Sequence, residues 1–122
     1  MSLVLIVDDS KDNARLIEAS LSVSGYEVMT AHTAEAGFDL AVAHHPDLIV
    51  TDLRLYGSSI DGWELIHHLR QQPRISQVPI IVTSVEVMPD DRQRALDAGC
   101  DLYFPKPFRI GELRAEISRL IG

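Results

Sequence analysis

The chain is short of cysteine and of long hydrophobic runs, and each shortage excludes a class of protein. Its 122 residues include one cysteine, Cys100, which cannot form an internal disulfide and is predicted to be a small buried residue. No apolar stretch approaches the roughly 20 residues that span a bilayer. The amino terminus has no signal-peptide pattern. We therefore expect no membrane segment and a cytoplasmic location.

Positive charge is also scarce. Eleven lysines and arginines stand against 18 aspartates and glutamates, so the net charge is −7. No basic cluster of the kind that follows a phosphate backbone is present, and we expect no direct nucleic-acid binding. Only two lysines occur, Lys11 and Lys106, and the second lies between Pro105 and Pro107. The five histidines have no metal-ligand spacing with cysteine and are predicted to lie on the surface.

Five short apolar runs alternate with five helical patterns along the whole chain. The predicted strands are Leu3–Val7, Glu27–Thr30, Leu48–Thr51, Pro79–Thr83 and Leu102–Phe104. The first predicted helix is capped by Ser10 and runs to about Ser24, and the second runs from Ala34, after Thr33, to about His44. The third follows Asp61-Gly62, the fourth has Pro89 in its first turn and ends at Gly99, and the last runs from about Ile110 to Ile121. Such alternation predicts one α/β domain over residues 1–122, a (βα)5 unit with a parallel sheet covered on both faces. In the first helix, the residues predicted to face inward are Ala14, Leu16, Ile17 and Leu21.

Carboxylates directly follow two of the buried runs. Asp8 and Asp9 come after the first strand, and Asp52 comes after the third. Ligands bind at the carboxyl ends of the strands in an open parallel sheet. If these two strands are neighbours, about 4.8 Å apart, three carboxylates converge on one point. So much negative charge calls for a divalent cation, and its oxygen ligands suit Mg²⁺.

Two further strand ends carry polar groups, Thr83 after the fourth run and Lys106 after the fifth. An aspartate can attack phosphorus to give an acyl phosphate. A lysine and a metal ion then neutralise charge on the transferring group, while a hydroxyl donates to one of its oxygens. These residue types together indicate phosphoryl transfer.

The ordered set of strand-end motifs resembles the receiver domain of two-component response regulators over essentially the full chain. The matching motifs are Val7-Asp8-Asp9, Asp52, Thr83 and Lys106-Pro107-Phe108. The resemblance implies a flavodoxin-like, doubly wound, five-stranded sheet of order 2-1-3-4-5, in which the first and third strands are adjacent. It also implies that Asp52 accepts a phosphoryl group from a histidine kinase or a histidine phosphotransfer protein. The chain would then have no enzymatic activity other than its own phosphorylation and dephosphorylation at Asp52.

The resemblance further assigns the groups around the metal ion. It implies that Asp9, Asp52 and the main-chain carbonyl of Arg54 ligate Mg²⁺ directly, and that Asp8 holds the ion through water. Lys106 would contact the phosphoryl group and the aspartates.

A switch is implied by the same resemblance. Thr83 and Tyr103 correspond to a pair in which the hydroxyl moves toward the phosphoryl group and the aromatic ring turns inward. The face built from the fourth helix, the last strand and the last helix would then bind a partner or a second copy of the chain. Four charged residues suit a salt-bridged homodimer there, although a solvated surface explains them equally well: Arg92, Arg94, Asp97 and Asp101.

The loop after Asp52 departs from the family pattern. Tyr56 stands where proline is common, and Asp61-Gly62 comes two residues later than usual, with Gly57 and two serines in between. Arg54 and Val85 occupy positions that resemble the family's tuning sites for acyl-phosphate lifetime. A long cationic side chain and a branched apolar one would shield the phosphoryl group from water. We therefore predict a long-lived phospho-Asp52.

Two other function classes are weighed against this one. A Mg²⁺-dependent phosphatase of the haloacid-dehalogenase kind also uses a strand-end aspartate, but it needs a second acid two residues later, where this chain has Ser10 and Arg54. A flavin-binding domain needs a first loop that binds phosphate. The acidic residues after Val7 would instead repel a phosphate group. The sequence leaves open whether the chain acts alone or belongs to a longer regulator, and it names neither the kinase nor the output.

Overall fold

The predicted alternation of strands and helices is confirmed. The computed structural model describes residues 2–85 and 88–122. The strands are β1 (Leu3–Val7), β2 (Glu27–Ala31), β3 (Leu48–Asp52), β4 (Ile80–Ser84) and β5 (Leu102–Pro105). The helices are α1 (Lys11–Val23), α2 (Ala34–His44), α3 (Gly62–Arg70), α4 (Asp91–Ala98) and α5 (Ile110–Ile121). Within the described part of the chain, every helix is too short or too polar to cross a membrane.

The five strands form one parallel sheet in the predicted order β2-β1-β3-β4-β5. The strands β1 and β3 are therefore neighbours, and Val7 pairs with Thr51. The next residue on each strand is an aspartate, so Asp8 and Asp52 leave the sheet at the same level. This register is what brings the strand-end carboxylates together.

A separate apolar core covers each face of the sheet. On one face, β1, β3 and β4 pack against buried residues of α1 and α5, namely Ala14, Ile17, Leu21, Leu113 and Ile117. On the other face, the buried residues of α2, α3 and α4 include Ala34, Ala41, Leu65, Ile66, Leu69 and Ala95. Each fully buried leucine or isoleucine contributes about 1.5–3 kcal/mol. Packing on both faces explains why β3 and β4 are buried along their whole length.

The prediction that Leu16 faces the core is wrong. Its side chain is 59% exposed, whereas Ala14, Ile17 and Leu21 are buried. The buried residues are spaced by three and four positions and form one stripe of the helix, from which Leu16 is displaced. Leu16 instead lines a surface cavity of about 340 Å³ with Pro107.

The fourth helix begins later than predicted. Pro89 lies outside α4, which starts at Asp91 after the N-cap residue Asp90. The Asp91 carboxylate turns back and accepts a hydrogen bond from the Met88 N–H at 3.1 Å. That contact stabilises a turn before the helix, and the first helical residue lies two positions beyond the proline. Gly99 ends the helix as predicted, with a φ of 112° that glycine adopts readily.

Cys100 is buried, as predicted. Burial and the neighbouring Asp101 raise the pKa of its thiol to about 11, against a weaker opposing effect of Arg70. The thiol is therefore uncharged at neutral pH and unreactive.

Candidate functional site

Three carboxylates converge at the carboxyl edge of the sheet. One oxygen from each of Asp8, Asp9 and Asp52 lies within 4.8 Å of the others. Asp8 is 2% exposed and Asp52 is 8% exposed. Three hard oxygen donors in a partly dry pocket are a ligand set that fits Mg²⁺, which keeps water in its remaining positions.

The end of β1 is held in place by hydrogen bonds to Asp8. Its Oδ1 accepts from the Ser10 N–H at 2.8 Å, which fixes the carboxylate at the start of α1. Its main-chain carbonyl lies 3.0 Å from Nδ1 of His32. His32 is half-buried and lies beside the site.

Lys106 reaches the same cluster from β5. Its Nζ lies 3.0 Å from Oδ2 of Asp52 and 3.9 Å from Oδ2 of Asp8. The Lys106 N–H donates to the Ser84 carbonyl at 2.7 Å, which ties the β5 end to the β4 end. The following peptide bond, between Lys106 and Pro107, is cis. The ammonium group thus faces the two more buried of the three clustered carboxylates.

The protonation of Asp52 depends on its burial and on the neighbouring charged groups. Burial, and then the neighbouring Asp8 carboxylate, raise the pKa of the Asp52 carboxyl to about 7, although Lys106 acts in the opposite direction. The nucleophilic form of an aspartate is the carboxylate. Any cation held between the three aspartates would therefore favour the reactive form of Asp52.

The longer loop after Asp52 folds over this edge of the sheet. The Leu53 N–H donates to the Thr83 carbonyl at 3.0 Å, and the Ser58 N–H donates to the Leu55 carbonyl at 3.2 Å. Gly57 has a φ of 85° inside that turn, a conformation that favours glycine. The Tyr56 N–H donates to Oδ2 of Asp9 at 3.3 Å, so the loop backbone contacts a predicted metal ligand.

Arg54 binds α4 and the start of α3. Its Nη2 lies 2.6 Å from Oδ1 of Asp91, and its Nη1 lies 3.6 Å from Oδ2 of Asp61. The Asp91 side chain is fully buried, and a buried ion pair of this kind is costly to break from one side. Arg54 and Val85 also line the cavity of about 330 Å³ that contains Asp52. Sequence reasoning did not include Asp91 among the candidate site residues and missed this ion pair.

The predicted switch residues lie on neighbouring strands. Thr83 is 2% exposed at the end of β4, and Tyr103 on β5 is 5% exposed. The adjacent residue Val82 pairs with Tyr103 in the sheet register. The Arg92 guanidinium lies 5.1 Å from the Tyr103 ring centroid, a cation–π distance. The ring is therefore inside the fold, beneath α4.

Gly62 is a residue of the site whose importance sequence reasoning missed. It is the first residue of α3, and its N–H donates to the Leu53 carbonyl at 2.8 Å. A Cβ at this position would collide with the carbonyl oxygen of Asp52. Only glycine allows α3 to approach the end of β3 so closely. The Asp-Gly pair before an apolar helical pattern was the available indication.

These features lead to the comparison with known proteins. A sequence model described as the response regulator receiver domain matches residues 4–118. The chain belongs to this family. The receiver domain is 38% identical over 121 residues to the response regulator ArlR of Staphylococcus aureus, which covers 99% of this chain. It spans about half the length of such curated relatives, 53% for ArlR.

Solved structures of receiver proteins share the fold. The chemotaxis response regulator CheY4 of Vibrio cholerae superposes with a TM-score of 0.90 at 28% identity, over 98% of both chains. The signal receiver domain of a histidine kinase from Syntrophus aciditrophicus gives a TM-score of 0.91 at 27% identity, over 99% of this chain and 90% of that one. The predicted flavodoxin-like fold is confirmed, and the phosphatase alternative gains no support.

Proposed function

We propose that this receiver domain accepts a phosphoryl group on Asp52 from a phosphohistidine. Its binding to a partner would then differ between the unphosphorylated and the phosphorylated state. The donor would be a histidine kinase or a histidine phosphotransfer protein. The observation that carries the proposal is the position of the Asp52 carboxylate, which is 8% exposed and 3.0 Å from the ammonium of Lys106. A buried acid between a lysine and two further carboxylates suits nucleophilic attack assisted by a cation.

In the proposed reaction, a carboxylate oxygen of Asp52 attacks the phosphorus atom. The new phosphorus–oxygen bond forms as the phosphorus–nitrogen bond of the donor breaks, and the imidazole nitrogen takes up a proton. Lys106 stabilises the charge on the transferring group, and the Thr83 hydroxyl donates to one of its oxygens. The result is an acyl phosphate on this chain. We propose no enzymatic activity beyond the formation and loss of this group.

Four groups of this chain would hold Mg²⁺: the side chains of Asp8, Asp9 and Asp52, and the main-chain carbonyl of Arg54. When bound, Mg²⁺ neutralises charge on the carboxylates and the phosphoryl oxygens. Asp9 is held against the loop by its hydrogen bond from Tyr56. Asp8 is oriented by Ser10, which leaves its second oxygen toward Lys106.

We propose that the phosphoryl group shifts the population of two arrangements of the Thr83–Tyr103 pair. Movement of the Thr83 hydroxyl toward the new phosphoryl group favours the buried position of Tyr103 and changes the surface of α4, β5 and α5. That surface would bind a partner or a second copy. Arg92 lies on Tyr103, whereas Asp101 is already paired with Arg70 at 2.9 Å.

The other two charges proposed for a homodimer also have partners within this chain. Arg94 stacks on Trp63 at 4.8 Å, and Asp97 accepts a hydrogen bond from Gln93 at 2.8 Å. Both contacts lie within this chain, so intermolecular pairs would have to replace them. The absence of direct nucleic-acid binding and a cytoplasmic location remain part of the proposal. So does the assignment of residues 1–122 to a single domain.

Intact-mass measurement after incubation with acetyl phosphate and Mg²⁺ tests the central assignment. The parent chain is expected to gain one phosphoryl group, and the Asp52→Asn variant is expected to gain none, because an amide is not a nucleophile at phosphorus. Omission of Mg²⁺ should strongly reduce the gain in the parent. A phosphoryl group that persists in the Asp52→Asn variant would contradict the choice of acceptor.

The lifetime of phospho-Asp52 is expected to fall several-fold in the Arg54→Asn/Val85→Glu variant. Shortening Arg54 and replacing the apolar Val85 opens the cavity beside Asp52 to water. The measurement is loss of the phosphoryl group over time by intact mass, after removal of acetyl phosphate. Val23→Glu is the control, since Val23 is 89% exposed at the far end of α1. Equal or slower loss in the double variant would refute the shielding hypothesis.

A further inference from the structure

The longer loop after Asp52 is fastened to the amino terminus of α2. The Ala34 N–H donates to Oγ of Ser58 at 2.8 Å. The N–H and the hydroxyl of Ser59 both donate to Oε2 of Glu35, at 3.2 and 2.8 Å. Both serines belong to the loop, and both of their partners lie in the first turn of α2. We call these contacts the loop anchor.

The loop anchor provides hydrogen-bond partners for the start of α2 as well as for the loop. The first N–H groups of an α-helix have no partner within the helix. The side-chain hydroxyl of Thr33, the N-cap residue, accepts from the Ala36 N–H at 3.1 Å. Ser58 supplies the acceptor for Ala34 from a distant part of the chain. The anchor therefore adds hydrogen bonds to groups that folding would otherwise leave to water.

Only a short piece of chain separates the anchor from the metal-facing groups. Ser58 closes a turn on Leu55, and Tyr56, inside that turn, donates to Asp9. Arg54 comes one residue before the turn, and its side chain is held by Asp91. A shift of Ser58 is therefore transmitted to the Tyr56 N–H and to the Arg54 carbonyl.

We propose that Ser58, Ser59 and Glu35 are positioning residues of the magnesium site. They hold the loop on α2 so that the Arg54 carbonyl and the Asp9 carboxylate face the same point as Asp52. This inference rests on the proposed function, because it assumes that these groups ligate Mg²⁺. Partners that orient metal ligands contribute about 10–100-fold to metal affinity.

The test is the Mg²⁺ dissociation constant, measured by calorimetric titration of the full chain. In the Ser58→Ala/Ser59→Ala variant, Mg²⁺ binding is expected to weaken about tenfold. Glu35→Ala is expected to weaken binding in the same direction, whereas Glu35→Gln keeps a side-chain acceptor for Ser59 and should retain most of the affinity. Ser76→Ala is the control, because Ser76 makes a comparable loop hydrogen bond, to the Pro73 carbonyl at 3.3 Å.

Thermal unfolding in EDTA separates positioning from simple stabilisation. Unchanged Mg²⁺ affinity in the serine variant and in Glu35→Ala, with or without a lower melting temperature, would overturn the inference. Affinity reduced equally in Ser76→Ala would overturn it too. A different result would contradict the proposed function: the parent chain itself would bind no Mg²⁺ and gain no phosphoryl group. If the double variant does not fold, the two Glu35 variants decide the matter.

Discussion

Gly62→Ala is expected to destabilise the folded chain by about 3 kcal/mol, because the added methyl group overpacks a place where the neighbouring atoms cannot move. The added methyl group would collide with the carbonyl oxygen of Asp52 and lie 3.0 Å from Cα of Leu53. These are backbone atoms of the acceptor strand and its loop, so no rotamer change relieves the contact. The N–H of Gly62 would also be pulled from the Leu53 carbonyl that it bonds at 2.8 Å.

The same substitution should damage the site as well as the fold. Asp52 and Leu53 must shift to admit the methyl group, which moves the acceptor relative to Asp8 and Lys106. We expect phosphorylation by acetyl phosphate to fall in the part of the population that stays folded. Urea unfolding followed by circular dichroism gives the stability change, and intact mass gives the extent of phosphorylation.

Gly111→Ala is the matched control for this prediction. Gly111 also lies in the first turn of a helix, α5, but the nearest atom to its added Cβ is Nη2 of Arg114, at 3.9 Å. Alanine there is expected to stabilise the chain by about 0.5–1 kcal/mol, because alanine favours the helix. Equal stabilities of the two variants would show that α3 does not approach β3 as closely as the structure has it.

Asp52→Asn is expected to stabilise the metal-free chain at pH 8, by an amount of the order of 3 kcal/mol. Burial and the Asp8 carboxylate raise the pKa of Asp52 to about 7, despite the attraction of Lys106. Above that pH the parent must keep a charged carboxylate in a poorly solvated place. Asparagine has nearly the same shape and carries no charge.

The sign of the pH dependence follows from the raised pKa. Between pH 4 and pH 7, as an approximate window, folded Asp52 binds a proton that unfolded Asp52 does not. The stability of the parent therefore falls across that window as the pH rises. The difference between variant and parent should be near zero at pH 4 and largest at pH 8.

Urea unfolding in EDTA at a series of pH values measures this difference. Asp39→Asn is the control, since Asp39 is an exposed aspartate in the middle of α2, and it should change stability little at any pH. Added Mg²⁺ should stabilise the parent more than the Asp52→Asn variant, because the variant has lost a ligand. A variant no more stable than the parent at pH 8 would mean that Asp52 is not held in the surroundings described.

The sheet and the location of the site could be predicted because they depend on short patterns. A buried parallel strand is a continuous apolar run, and β1 matches its prediction residue for residue. Ser10 and Thr33 accept hydrogen bonds from the first turns of α1 and α2, as their types before apolar helical patterns suggest. Polar residues directly after such strands must meet at one edge of the sheet.

Other features depend on particular packing contacts and side-chain hydrogen bonds, which the sequence patterns do not show. Leu16 is as apolar as Leu21, but only Leu21 lies on the stripe of α1 that packs into the core with Leu113 of α5. Pro89 is a good first residue of a helix, but the bond between Asp91 and Met88 moves the helix start. Nothing in the residues near Ser58 shows that its hydroxyl will accept from Ala34.

The order of residue types along this chain is enough to determine its family, its sheet and the edge at which Asp8, Asp9, Asp52 and Lys106 meet, because each strand-end residue follows a recognisable strand. The tertiary structure alone decided how that edge is held together. The anchoring of the longer loop on α2 and the ion pair between Arg54 and Asp91 join segments far apart in sequence. The close approach of Gly62 to Asp52 brings the start of α3 against the end of β3. Such contacts follow from how the elements pack, and packing depends on the whole chain at once.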